Sequence, residues 1–136
     1  MTEFSKAMTI AASGMLAQNV RLQVISENIA NAESIGTTPG SDPYRRKTVS
    51  FRNQLDREIG ANLVKLNKYG RDKSSFPVRN DPSHPAADAE GRVKLPNVNS
   101  LIELMDLRQA QRSYQANLRV VDIARTMVSR TIELLR

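Results

Sequence analysis

The side chains with the most specific chemistry in this sequence are amides set inside long apolar patterns: Asn28 and Asn31 in "SENIANAES", and Asn117 in "RSYQANLRV". An amide carries two donors and one acceptor oxygen, so it pairs other polar groups rather than moving protons. Asn31 closes the first pattern and suits a helix C-cap, because asparagine tolerates the left-handed conformation that ends helices and its side chain can bond local backbone groups. Asn28, one turn earlier, and Asn117, one turn beyond Tyr114, are mid-helix amides, slightly unfavourable there unless they find partners. Bonds between neighbouring helices would supply those partners and fix register.

Other reactive groups are few. The chain has no cysteine, which excludes disulfides, thiolate metal sites and cysteine nucleophiles. Its single histidine, His84 in "DPSHPAADAEG", lies among prolines and reads as a solvated loop residue. Asp88, Glu90 and Gly91 form a fragment of a calcium-loop pattern but supply too few oxygen ligands. No nucleophile-elbow, zincin, phosphate-loop or dinucleotide pattern occurs. The sequence therefore assigns no catalytic, metal or cofactor-binding residue.

The formal charge is +6, and it resides in the middle. From Tyr44 to Arg79 ten Lys/Arg residues face only Asp56, Glu58 and Asp72. Arg45, Arg46 and Lys47, with Tyr69 and Phe76 further on, could give affinity for phosphate. Nucleic-acid binding is thus one alternative reading, with a solvated basic surface the plainer one.

The elements that must position the amides follow from periodicity. Met1, Met8, Met15, Leu22 and Ile29 form a row at seven-residue spacing, and Phe4, Ala11, Gln18, Ile25 and Ala32 form the row three residues on. These are a and d positions of a heptad, with only Gln18 polar. Ala7, Ala11, Ala12, Gly14 and Ala17 would let a partner helix approach closely. Gly14 costs a helix interior about 1 kcal/mol relative to alanine, which points to close contact or a bend. A helix of about 28 residues would extend roughly 42 Å and cannot bury its stripe alone.

The last part mirrors the first. Ser100 and Glu103 form a capping-box pattern after Pro96. Leu104, Leu107, Tyr114, Leu118, Val121, Val128, Ile132 and Leu135 then follow helical spacing, flanked by Ala110 and Ala124. Val120, Ile123, Met127 and Leu134 lie off that seam, leaving apolar surface for a larger assembly; a self-contained helical adaptor is the other alternative.

All six prolines and five of the six glycines fall between the two patterns, which excludes a continuous helix there. "RKTVSF", "ANLVKL", "SFPVR" and "GRVKLP" suit short strands. "FRNQLDREI" is ambiguous, because Phe51, Leu55 and Ile59 also fit a short helix. The expected fold is mainly α: long N- and C-terminal helices packed as a coiled-coil-like pair, with a small irregular β-containing insert. The boundaries are residues 1–36, 37–99 and 100–136, the two helices forming one discontinuous domain. No run approaches the roughly 18 apolar residues needed to span a bilayer. Glu3, Thr9, Ser13 and Gly14 argue against a secretory signal around "AMTIAASGMLA", so this segment is expected to be kept.

"SENIANAES", "PYRRKTVSF", "DPSHPAADAEGRVKLPNVN" and "RSYQANLRVVDIARTM" together resemble the bacterial flagellar basal-body rod proteins, over most of the chain, with residues 53–75 matching least. The family's Ala-Asn-x-x-Thr element falls on Ala30, Asn31 and Ser34, with serine in place of threonine. Its Ser-Tyr-x-Ala-Asn element falls intact on Ser113, Tyr114, Ala116 and Asn117. The resemblance implies a structural, non-enzymatic subunit of the motor's driveshaft, with no cofactor, small-molecule ligand or nucleic acid. It implies export by the flagellar type III apparatus without a cleaved signal, and helical assembly in the periplasm with other rod proteins and a rod-to-membrane-ring adaptor. The subunit would be peripheral to the membrane ring, not membrane-spanning. The assembly surfaces would centre on Met8, Met15, Leu22, Ile25 and Ile29, and on the stripe from Leu104 to Leu135, transmitting torque toward the hook.

Overall fold

Proline-free stretches at either end of the insert become two uninterrupted helices in the computed structural model, which describes residues 2–136. These are α1 (Glu3–Ala30) and α2 (Ser100–Leu134). Met1, the first residue of the expected heptad row, lies outside the described residues. The Thr2 hydroxyl accepts the Ser5 N–H at 3.2 Å and caps α1, satisfying one of the donors a helix start leaves open. For α2 the cap is Asn99 rather than the expected Ser100–Glu103 pair: Asn99 Oδ1 accepts the N–H of Leu101 at 3.1 Å and of Ile102 at 3.4 Å. Glu103 is drawn away from the helix start because its carboxylate is held by other partners in the interior.

The insert contributes β1 (Lys47–Asp56), β2 (Ala61–Arg71), β3 (Val78–Asn80) and β4 (Arg92–Lys94). They form two two-stranded sheets, β1 with β2 and β3 with β4. In the second, antiparallel sheet Arg79 stands opposite Val93. The ambiguous "FRNQLDREI" is strand to Asp56 and then turn, not helix. Asp56 Oδ1 accepts the N–H groups of Glu58 at 3.0 Å and Ile59 at 3.2 Å, and Gly60 takes φ 67°, which a side chain would resist.

The chain divides into two compact units. The first comprises Met1–Leu22, Val49–Lys68 and Arg108–Arg136. Its buried apolar residues are mostly small: Ala11, Ala17, Ala110 and Ala124, with Leu63. A Cβ added to Gly14 would lie 2.8 Å from Asn117 Nδ2, so the glycine marks a close approach of the helices there. Arg21 Nη2 also reaches Gln109 Oε1 at 3.4 Å. The Ser13 hydroxyl donates to Ile10 O and accepts the Val64 N–H at 3.2 Å, tying α1 to β2.

Close approach also decides which residues of α2 turn inward in this unit. Ala110, Asn117 and Ala124 recur every seven residues on the inner side, with Tyr114, Val121 and Val128 half-buried beside them. Leu118, expected on the seam, is 41 % exposed, Ile132 54 % and Leu135 83 %. The larger side chains are turned out because only small ones fit the innermost row.

The second unit comprises Gln23–Thr48 and Tyr69–Leu107. Val24, Ile25, Ala86 and Val93 are buried in it, together with the polar Asn28 and Glu103.

Candidate functional site

The end of α1 in the second unit is built by the amides that the sequence singles out. Asn31 caps the helix through its side chain: Nδ2 donates to Glu27 O at 2.8 Å, and Oδ1 accepts the Ser34 hydroxyl at 3.0 Å. Among the described residues no non-glycine has positive φ, so of the two routes open to an asparagine cap Asn31 uses the side-chain hydrogen bond and not the left-handed conformation. Serine at position 34 keeps the donor that threonine would supply. Ser34 O then accepts the Tyr44 N–H at 3.0 Å, returning the chain to the helix end. Ala30 is the exposed last residue of α1.

Asn28 is 1 % exposed, and all four of its hydrogen-bonding positions are filled. Its Oδ1 accepts the Tyr44 hydroxyl at 2.7 Å and the Lys47 N–H at 2.8 Å. Its Nδ2 donates to Lys47 O at 2.9 Å and to Glu103 Oε2 at 3.4 Å. The amide thus pairs with the Lys47 backbone as a neighbouring strand would, and starts β1 at a set position. Its partners include one neighbouring-helix group, Glu103, but the insert backbone holds it most closely.

Arg46 completes the cluster. Its guanidinium is bonded to the fully buried Glu103 and lies 3.8 Å from both Asp72 and Asp106. The Arg46 N–H donates to Asn97 Oδ1 at 2.7 Å, and Asn97 Nδ2 donates to Asp72 O at 3.0 Å. Lys47 bonds Glu27, and the ammonium hydrogen bond lowers the Glu27 pKa below its usual value. Asp72 is also lowered, chiefly by the Ser74 N–H and hydroxyl, with Arg46 and Arg45 adding attraction. A buried carboxylate such as Glu103 is tolerable only when paired and hydrogen-bonded in this way.

The basic run "YRRK" is therefore largely consumed inside the protein. Arg45 stacks 4.2 Å over Phe76 and donates to Asp72 O at 2.8 Å, while Arg71 donates to Arg45 O at 3.0 Å. The nucleic-acid reading, which relied on Arg45, Arg46 and Lys47, loses its support. His84 is half-buried, its Nδ1 accepting the Ala86 N–H at 3.0 Å. The Asp88 carboxylate accepts the N–H groups of Glu90 and Arg92 and shapes the turn before β4. The Arg92 N–H is the main reason its pKa is lowered. Among the described residues no three metal-ligating side chains gather, and no helix is long and apolar enough to cross a membrane.

The second motif lies in the first unit. Ser113, Tyr114 and Asn117 are half-buried and Ala116 is exposed; Asn117 packs against Gly14, and Tyr114 lines a shallow groove with Ala12, Met15, Leu16 and Asn19. Of the expected assembly residues, Ile25 is buried, and Met8, Met15, Leu22, Ile29, Leu107, Tyr114, Val121 and Val128 are half-buried. Leu104 is exposed, as are Leu118, Ile132 and Leu135. Glu103, Arg46, Tyr44 and Asn97 were not singled out by sequence as partners of Asn28 or of one another. A signal existed for Glu103, which stands at the seven-residue spacing of Ala110, Asn117 and Ala124.

Two long terminal helices thus flank a small β insert whose polar side chains are largely spent on mutual pairing. The C-terminal region, residues 89–134, matches the family model described as "Flagellar basal body rod FlgEFG protein C-terminal". The chain is 53% identical to the flagellar basal-body rod protein FlgC of Agrobacterium fabrum, over 100% of this chain and 98% of the relative. It is 39% identical to that of Salmonella typhimurium, covering 92% of each, and 34% identical to that of Bacillus subtilis, covering 98% and 99%. The chain belongs to the flagellar basal-body rod protein FlgC family and is a structural subunit of that rod.

Proposed function

We propose that this rod subunit transmits torque by assembling helically with other rod proteins, α1 and α2 forming a coiled-coil-like wall and the insert meeting neighbouring subunits. The observation that carries this reading is the apolar surface α2 leaves uncovered. Ile123 is 58 % exposed and Met127 48 %, one turn apart, and Leu101, Ile102 and Met105 are exposed near the helix start. A patch of this kind on one chain is surface for a neighbour. The buried Asn28–Glu103–Arg46 cluster supports the same reading, because a satisfied polar network specifies one arrangement of helix and insert.

Family membership alone supports the finer points of the proposal: a periplasmic rod, export through the flagellar type III apparatus without a cleaved signal, and contact with a rod-to-membrane-ring adaptor. The partition into two rod helices, residues 1–36 and 100–136, around an insert at 37–99 belongs to the proposal too. The test is Ile123→Asp with Met127→Asp, both at exposed positions. The variant should fold and be produced as the parent is, yet leave membrane rings without a completed rod in electron micrographs. Normal rods and motility would overturn the proposed wall.

A further inference from the structure

Some cations of the insert are answered by neighbours and others, Lys73 and several on the β1–β2 hairpin, are in no ion pair among the described residues. Arg46, Lys47 and Arg79 have carboxylate partners, and Arg45 is held by backbone oxygens and Phe76. Among the described residues, Arg52, Arg57, Lys65 and Lys68 enter no ion pair; all four are exposed on the β1–β2 hairpin. The hairpin's own acids do not answer them: Asp56 is committed to its turn, and Glu58 stands at the tip.

Two of these cations share a face. Asn67 Nδ2 donates to Ser50 Oγ at 3.2 Å, which puts both residues on one side of the sheet. Strand alternation brings Lys65 and Arg52, each two residues nearer the turn, to that same side. Like charges set across a strand pair destabilise the hairpin that carries them. An anionic neighbour would reverse that effect.

We infer that this hairpin docks the acidic face of a different protein subunit, with Arg52 and Lys65 as the central contacts and Arg57 at the tip. The inference rests on the rod reading and adds the chemistry of one neighbour. A second copy of the chain is disfavoured by its own formal charge of +6. A phosphate polymer or lipid surface is disfavoured by Asp56 and Glu58 at the leading end. On the opposite side of the hairpin, Leu55 at 59 % exposure and Leu66 at 38 % add apolar surface, and apolar area beside charge suits a protein interface.

The experiment places a photoreactive benzophenone side chain at exposed position 54, in place of Gln54, in the full chain expressed in its flagellated host. Basal bodies are then isolated, irradiated and analysed by mass spectrometry. The expected product joins this chain to an acid-rich segment of a different protein. Arg52→Glu with Lys65→Glu should lower its yield on the order of tenfold, and Arg52→Lys with Lys65→Arg should retain it. Adducts only with copies of this chain, with lipid or with nucleic acid, no adduct at all, or a yield indifferent to charge reversal, would overturn the docking inference while leaving the rod reading intact. Absence of the unsubstituted chain from basal bodies would instead overturn the rod reading and the inference with it. Arg52→Ala with Lys65→Ala separates docking from folding: the purified variant should melt no lower than the parent yet crosslink poorly, and full crosslinking would count against the inference.

Discussion

Asn28 and Glu103 meet in the interior with Asn28 Nδ2 3.4 Å from Glu103 Oε2, although 75 positions separate them. Around that contact the end of α1, the start of β1 and the first turn of α2 are held by one amide, one carboxylate and one guanidinium. Because every polar position of Asn28 is filled, substitutions there have outcomes that burial alone would not predict.

Asn28→Ala should destabilise the protein by about 3 kcal/mol, since it leaves the Lys47 backbone groups and the Tyr44 hydroxyl without their partner. Asn28→Asp should be at least as damaging at neutral pH, because it removes both donors and sets a second carboxylate against Glu103. Urea unfolding at pH 7 measures both. A loss below about 0.5 kcal/mol for either would show that the cluster does not hold the fold.

Glu103 and Arg46 should be strongly coupled. Glu103→Leu alone leaves a partly buried guanidinium with only its longer contacts to Asp72 and Asp106, and should cost about 3 kcal/mol. Adding Arg46→Met should recover more than half of that loss. A double-mutant cycle that is additive within about 0.5 kcal/mol would contradict the pairing.

Gly14 and Asn117 give the opposite kind of coupling. Gly14→Ala gains about 1 kcal/mol of helix propensity, but its new methyl would sit 2.8 Å from Asn117 Nδ2. In the parent the two effects should cancel or leave a small net loss. With Asn117→Ala beside it, the same substitution should stabilise by about 1 kcal/mol, read as a rise in Tm.

Gln18 is the one polar residue of its heptad row, and its Oε1 is buried without a hydrogen-bond partner among the described residues. Gln18→Leu should stabilise the isolated chain by about 1 kcal/mol. Denaturation of the purified variant decides this, and a loss of stability would mean that the amide oxygen is satisfied in solution.

Acid should weaken the protein through Glu27, Asp72 and Asp88. Their pKa values are lowered in the folded state from usual values of 4.5, 3.8 and 3.8. A lowered folded pKa means that the unfolded chain binds protons first as pH falls, so the contribution is complete above the unfolded values and lost on descending through the folded ones. Tm should hold steady from neutral pH to about 5.5 and fall below about 4.5. Asp72→Asn should flatten that fall, and an unchanged profile would remove Asp72 from the account.

Much of the architecture was legible in the residues because it depends on local chemistry. Proline-free heptad spacing marked both helices, and the prolines and glycines between them marked the insert. The four short extended runs became the four strands, since alternation and turn residues act over a few positions. Two local patterns misled. Ser100 and Glu103 fit a capping box, yet Asn99 caps α2, because a carboxylate that can pair with Arg46 in the interior leaves the helix start. "FRNQLDREI" satisfied helical spacing, yet cross-strand pairing with β2 overrode it.

From the residues alone it follows that the protein is helix, insert, helix, that its amides need partners, and that it carries the motifs of a rod subunit. Which groups those partners are depends on how the folded chain brings distant segments together. Asn28 finds Lys47, Tyr44 and Glu103, and the basic run turns inward to Asp72 and Glu103. The folded chain also sets which face of α2 is inside: close approach around Gly14 admits only residues such as Ala110, Asn117 and Ala124, so leucines that periodicity assigned to the seam remain outside. Periodicity records that a helix has apolar residues, whereas the distance to the neighbouring helix decides which of them fit.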